Sequence, residues 1–301
     1  MLEDTAGRLW FGTMDTDLIG FNPKSGEFDR YQQTPGDPNS LAGNGVIHIL
    51  EDHSGNLWIG TYTGISKLRR GQGAFDHFKN EPGRSDTLTS RSVFSIVEDN
   101  AGQLRVSTAE GGIDRLDPHS GAVVHHTLPP PPGLPDIVSH SRQSVVDRQG
   151  RVWMATYGQG LTRFDPAAAV FTAFRHDPKS PRSLEDNVVC AMLVDSIGTP
   201  WAGTRSGTLH RFDPETEDFT RFQHPIDAKG SRATDLNPPL VLQEDPQGNI
   251  WIGTERGMFR FDPHTGKFES RAHDRCESEG ATAQSIIAIH CDRQGVLWLG
   301  T

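Results

Sequence analysis

Short apolar runs alternate with polar turns along the whole chain, and the alternation keeps one phase. The stretch Asp245-Pro-Gln-Gly-Asn-Ile-Trp-Ile-Gly-Thr254 shows the pattern most plainly. Asp at the first corner and Gly three residues on suit a type I turn, with the Asp side chain bonding the backbone that follows. Ile-Trp-Ile-Gly-Thr then predicts a short strand. A more continuous apolar segment precedes such turns at Val46–Leu50, Val93–Val97, Val188–Val194 and Ile286–Ile289. Runs this unbroken predict strands buried on both faces.

Beyond the Trp strand, glycine opens a third strand at Gly64-Ile65, Gly112-Ile113 and Gly160-Leu161, and proline closes it at Pro23, Pro118, Pro166, Pro214 and Pro263. Proline cannot donate into a ladder. A fourth segment carries apolar residues three apart, as in Phe75 and Phe78, Phe171 and Phe174, Phe219 and Phe222, among polar neighbours. That polarity suits an outer edge. No helical periodicity appears.

The turn aspartate recurs at Asp4, Asp52, Asp99, Asp147, Asp195, Asp245 and Asp292, a period of about 48 residues. Tryptophan stands six residues later in six copies, at Trp10, Trp58, Trp153, Trp201, Trp251 and Trp298, which are all the tryptophans in the chain. The third copy, Leu104-Arg-Val-Ser-Thr108, has Arg105 for Trp and Ser107 for Gly, and reads as the most eroded. Four-stranded units of this period with one Trp each predict an all-β fold, a β-propeller of antiparallel blades. The Trp residues are expected to fill the gaps between blades and the Gly residues to admit close backbone approach. Strand counting gives six full blades plus a half blade, part of a seven-bladed ring. A six-bladed ring is the alternative.

The repeat makes residues 1–301 a single propeller region, and both ends fall in the same phase, so a fragment of a longer multi-blade region is expected. With Lys+Arg 29 against Asp+Glu 39 the net charge is -10, and no basic cluster relieves it. Nucleic acid is not an expected partner. No apolar run approaches the ~20 residues of a membrane span, and Met1-Leu-Glu-Asp has no signal-peptide character. Cys190, Cys276 and Cys291 have no paired spacing, and the 13 histidines, including the adjacent His125 and His126, are scattered without phase. Neither disulfide framework, metal site nor cofactor is indicated, and no hydrolase, zincin or phosphate-loop motif occurs.

Propellers bind ligands where the loops before the innermost strands converge. Eight residues before the repeat aspartates stand Asn44, Arg91, Ser139, Asn187, Asn237 and Gln284, all polar, with His140 and Arg142 beside them. Such groups could hydrogen-bond a polyol or a carboxylated sugar. Capping of loop backbone is the competing role, as Asn often serves.

The stretches Glu51-Asp-His-Ser-Gly-Asn-Leu-Trp-Ile-Gly-Thr61 and Asp245–Thr254, the triplet Phe261-Asp-Pro263 and the connector Asp37-Pro-Asn-Ser-Leu-Ala-Gly-Asn44 resemble the two-component regulator propeller repeat. Sialidase-type Asp-boxes differ in placing Asp and Gly two apart, and WD-repeat propellers would show Gly-His and Trp-Asp pairs. The resemblance implies an extracytoplasmic, periplasmic, non-catalytic ligand-sensing region of a bacterial sensor, with a glycan or other small molecule as cue and self-association in a sensor dimer. The signalling output of such proteins has no counterpart here. A propeller lyase or hydrolase of the streptogramin-lyase kind is the alternative, with His140 its one placeable mouth histidine. A protein-interaction scaffold using blade edges or Pro129–Pro135 is a third.

Overall fold

The computed structural model describes residues 1–13, 17–43, 45–69, 71, 73–131, 141–223, 237–271 and 285–301. Among them no helix forms; there are six four-stranded sheets and one two-stranded sheet, each a meander in which strands adjacent in sequence are adjacent in space. The second blade is typical, with strands Val46–Glu51, Leu57–Thr61, Gly64–Leu68 and Phe75–Phe78 paired antiparallel. The first blade has a short innermost strand, Leu2–Glu3, and the seventh sheet holds only Ala288–Cys291 and Leu297–Gly300. The blade count expected from the repeat is therefore met. The chain packs as two compact units, one of Met1–Val146 with Gly150–Val152 and Asp165–Ala169, the other of Asp147–Gln149, Trp153–Phe164 and Val170–Thr301.

Each hairpin closes as its residues require. The Gly55 N–H donates to the Asp52 carbonyl at 2.8 Å and the Asp52 N–H to that of Asn56 at 2.9 Å. Gly55 lies at φ 77°, a conformation that costs other residues about 1 kcal/mol or more. The Asp52 carboxylate holds the turn from inside: Oδ1 accepts the Ser54 and Asn56 N–H groups, and Oδ2 accepts the Trp58 indole Nε1–H at 2.7 Å. The indole bond recurs in every copy that has a tryptophan, from Trp10 to Asp4 through Trp298 to Asp292, at 2.7 to 2.9 Å. In each of these copies the indole N–H thus meets the carboxylate of its own turn.

The hydrophobic cores lie between consecutive blades. In the first unit Trp10 packs with Leu41 of the connector and Val46, Ile49 and Ile59 of the second blade, and Trp58 with Val93, Ile96, Leu104 and Val106 of the third. In the second unit Trp201 packs with Leu242, Ile250, Ile252 and Phe261 of the sixth blade. Trp10, Trp58 and Trp201 thus pack in clusters shared by two blades. The glycine of the Trp strand makes the approach possible: a Cβ on Gly60 would stand 2.9 Å from Val93 Cγ1, inside contact distance.

Two readings from sequence need correction. The strands buried on both faces are the second ones, such as Leu57–Thr61 and Leu104–Thr108, every residue of which is buried. The innermost strands, such as Val46–Glu51, mix buried and half-buried positions, with only Val46 and Ile49 buried in that strand. Each is a sheet edge, and those of the second, third, fifth and sixth blades carry a β-bulge at Ile47, Phe94, Cys190 and Leu240, which re-aims one side chain out of the pleat. Nor is the third copy eroded in its chemistry. Arg105 is 5% exposed, and its Nε donates to Asp99 Oδ2 at 2.7 Å, with Nη2 at 2.7 Å from the same oxygen. Ser107, in the glycine position, shares a 2.8 Å hydrogen bond with Ser144 of the next innermost strand.

Candidate functional site

Antiparallel strand order brings the loop before each innermost strand beside the turn joining the second and third strands. In the third blade the Ala109 N–H donates to the Ser92 carbonyl at 3.2 Å; in the fifth the Arg205 N–H donates to that of Val188 at 2.9 Å. Tyr157 of the fourth blade bridges to Val188 from the other side.

Of the eight residues expected to line this end, Asn44, Ser139, His140 and Gln284 lie outside the described residues, as does most of Pro129–Pro135. In the first unit Arg91 leads into its strand and Arg142 lies on one; both are exposed, and neither guanidinium pairs with a described residue. In the second unit Asn187 caps the loop. Its Oδ1 accepts the His176 N–H at 2.8 Å, and its carbonyl accepts the N–H groups of Gly158 and Gly160 at 3.0 and 2.8 Å. Asn237 is half-buried just before the strand Pro239–Glu244.

Three further residues of these loop ends escape sequence reading. Tyr62 and Tyr157 each follow the Thr that ends a Trp strand, and remain 44% and 46% exposed. Arg205, in the same phase, is exposed and its side chain has no partner among the described residues. The first unit therefore presents Tyr62, Arg91 and Arg142, the second Tyr157 and Arg205, at loop ends. Aromatic faces stack on sugar rings or other flat groups, and guanidinium forks bind carboxylates and other oxyanions in pairs of hydrogen bonds. The signal available in sequence was the residue after the Thr that ends the second strand, an outward position where Tyr and Arg serve no core.

Buried titratable groups serve the connectors instead. The leucines of the connectors, Leu41, Leu88 and Leu184, are buried, and the residue after each donates its N–H to a buried third-strand side chain. Ala42 bonds to Ser66 Oγ at 2.9 Å, Thr89 to Asp114 Oδ2 at 2.8 Å, and Glu185 to His210 Nε2 at 3.1 Å. His210 is fully buried, and desolvation lowers its pKa to about 4, so the ring is a neutral acceptor at neutral pH. His125 Nδ1 stands 2.9 Å from Asp114 Oδ1. This pair has the form of a base and its orienting carboxylate, but it sits on the third and fourth strands under the connector. Equivalent His77 is likewise bound to Ser66 and, through Nε2, to the Pro38 carbonyl at 3.0 Å. Among the described residues no group of three or more His, Cys, Asp or Glu could hold a metal ion, and no helix is long and apolar enough to cross a membrane.

The structure is similar to the extracellular domain of a putative hybrid two component system from B. thetaiotaomicron, with a TM-score of 0.79 and 22% identity over 100% of this chain and 38% of that one. It is also similar to a catalytically inactive virginiamycin B lyase from Staphylococcus aureus with quinupristin, with a TM-score of 0.74 and 13% identity over 99% of this chain and 89% of that one. PorZ, a surface component of the type-IX secretion system of Porphyromonas gingivalis, gives 0.70 and 15% over 98% and 43%. At these identities the likeness is one of fold, and it makes the fold a β-propeller. The chain spans 38% of the length of the sensor domains it resembles. No curated protein matches it. The profile described as "Two component regulator propeller" matches residues 40–63, 236–256 and 280–301. These matches fall on three of the seven copies of the repeat, and over those stretches the chain is similar to the two-component regulator propeller repeat.

Proposed function

We propose that this chain is a non-catalytic, extracytoplasmic ligand-sensing region of a bacterial two-component sensor, and that it takes a polar ligand, a glycan carrying carboxylates, at the loop ends of its blades. The observation that carries this reading is the exposed guanidinium groups at the loop ends, Arg91 and Arg142 beside Tyr62 in the first unit and Arg205 beside Tyr157 in the second, none of which pairs with a described residue. On a chain of net charge -10, exposed arginines without acidic partners mark where an anionic group is tolerated. Calorimetric titration with a panel of uronate-containing and neutral oligosaccharides tests it. Saturable binding of the acidic members, weakened about tenfold or more by Arg91→Ala or Arg205→Ala, is expected. Binding indifferent to those substitutions contradicts the reading.

The likeness to virginiamycin B lyase over 89% of that enzyme supports a second reading, a propeller lyase. The Asp114–His125 pair is committed to anchoring a connector. Turnover of quinupristin by the purified chain would favour the lyase over the sensor.

A further inference from the structure

A cleft of about 540 Å³ opens in the first unit at the Asp-turn end, between the first and second blades, away from the loop ends discussed above. Its floor is apolar, formed by Trp10, Leu57 and Leu68, all buried. Around that floor stand Tyr31, Lys24, Arg69 and Arg8.

The hydrogen-bonding inventory of this cleft is one-sided. Its acceptors are engaged: Asp4 Oδ1 takes the Ala6 and Arg8 N–H groups, and Asp4 Oδ2 the Trp10 indole. Glu51 takes the Thr5 N–H on one oxygen and the Thr5 hydroxyl on the other, each at 2.7 Å. Asn22 Oδ1 takes the Lys24 N–H at 3.0 Å. Its donors are not all engaged. The exposed Lys24 ammonium and the Tyr31 hydroxyl make no hydrogen bond to a described residue. Arg69 gives Nε and Nη2 to Asp76, and Nη1 makes no hydrogen bond to a described residue. Burial, and then the charge of Asp29, raise the Tyr31 pKa, which keeps that hydroxyl a donor.

Tyr31 is also particular to this blade. Its counterparts Phe78, Phe174 and Phe222 are phenylalanines that pack on Trp58, Trp153 and Trp201 as Tyr31 packs on Trp10, with no hydroxyl to offer. A pocket with an apolar floor, unspent cationic and hydroxyl donors and no unspent carboxylate suits a ligand that brings acceptors on a flat body.

We propose that this cleft is a binding site for a small organic anion, an oxyanion group carried on a flat apolar body, independent of the loop-end site. The body would lie over Leu57, Leu68 and the Trp10 edge, and the oxyanion would meet Lys24, Arg69 and the Tyr31 hydroxyl. Calorimetry with phenyl phosphate, and with benzyl alcohol as its neutral counterpart, tests the assignment on the whole chain. Phenyl phosphate is expected to bind saturably, at least tenfold more tightly than benzyl alcohol, and to weaken as salt rises. Lys24→Gln, at an exposed turn where folding is not at stake, and Tyr31→Phe, which restores the residue of the other blades, are each expected to weaken it severalfold or more. Arg91→Ala is expected to leave it unchanged. Equal affinity for the two probes, no saturable binding, or an affinity lost in Arg91→Ala but kept in Lys24→Gln would overturn it. The last of these would move the anion to the loop ends and leave the sensing proposal standing.

Discussion

Arg105 Nε donates to Asp99 Oδ2 at 2.7 Å, where Trp58 Nε1 donates to Asp52 Oδ2 at 2.7 Å one blade earlier. The two side chains share neither shape nor charge; they share an N–H aimed at the buried turn carboxylate. Asp99 is 4% exposed, so removal of its donor would leave a buried charge unpaired. Arg105→Ala is therefore expected to cost about 3–5 kcal/mol in urea unfolding. Arg105→Trp, which brings back both indole and N–H, is expected to cost far less. Equal stability of Arg105→Ala and the parent chain would contradict this.

Successive blades are also joined at their turns. Thr5, His53 and Ser196, each the residue after a turn aspartate, donate their N–H to Glu51, Glu98 and Glu244, the residue before the next one, at 2.7, 2.8 and 2.6 Å. Where Val194 replaces that glutamate, Arg148 donates to the Ser196 carbonyl instead. Glu244→Ala is expected to lower stability by about 1–2 kcal/mol, since it strips both the N–H and the hydroxyl of Ser196 of their acceptor. Glu244→Gln should recover part of it. Chemical unfolding of the two variants side by side checks the order.

Glycines of the repeat should fail for two different reasons. Alanine at Gly60 meets Val93 across the blade gap and is expected to cost about 1–3 kcal/mol by overpacking. Alanine at Gly248 meets nothing within 4 Å, but the position lies at φ 80°, and the expected cost is about 1 kcal/mol of backbone strain. Val93→Ala should relieve the first and leave the second untouched. Additive effects in the Gly60→Ala, Val93→Ala double variant would contradict the steric account.

His210 gives the fold an acid-sensitive point. Its pKa is about 4 in the folded chain and near 6.5 when unfolded, so the unfolded state takes up the proton first as pH falls. The stability tied to its neutral form is whole above about pH 6.5, declines through the window down to about pH 4, and stands about 2 kcal/mol lower by about pH 5. Arg221 and Glu185 face the ring, and Arg221 adds to the lowering. His210→Gln, which keeps an acceptor for the Glu185 N–H, is expected to flatten the dependence between about pH 6.5 and 5. An unaltered slope in urea midpoints across that range would count against it.

The fold was legible because the Asp, Gly and Trp of the hairpin recur in phase, and each carries a distinct packing or turn requirement. What the pattern hid was the role of the indole N–H. Trp58 was read for its ring, so Arg105 looked like decay. The innermost strands misled because Val46-Ile-His-Ile-Leu50 is apolar in sequence, while the bulge at Ile47 and the open edge leave it half-buried. At the loop ends the polar phase pointed to Arg91, with Arg142 beside it, and both are exposed. It also gathered Asn187, whose oxygens are spent on His176, Gly158 and Gly160. Tyr62, Tyr157 and Arg205 went unnoticed because an exposed side chain obeys no packing period.

The most direct test of the sensing proposal is amide hydrogen exchange of the chain with and without the tightest-binding acidic oligosaccharide. Protection gained around Tyr62, Arg91, Arg142, Tyr157 and Arg205, with the Asp-turn end unchanged, is the expected result. Protection confined to the Asp-turn end, or none at any loop end under saturating ligand, would contradict a sensor that reads its ligand at the loop ends of its blades.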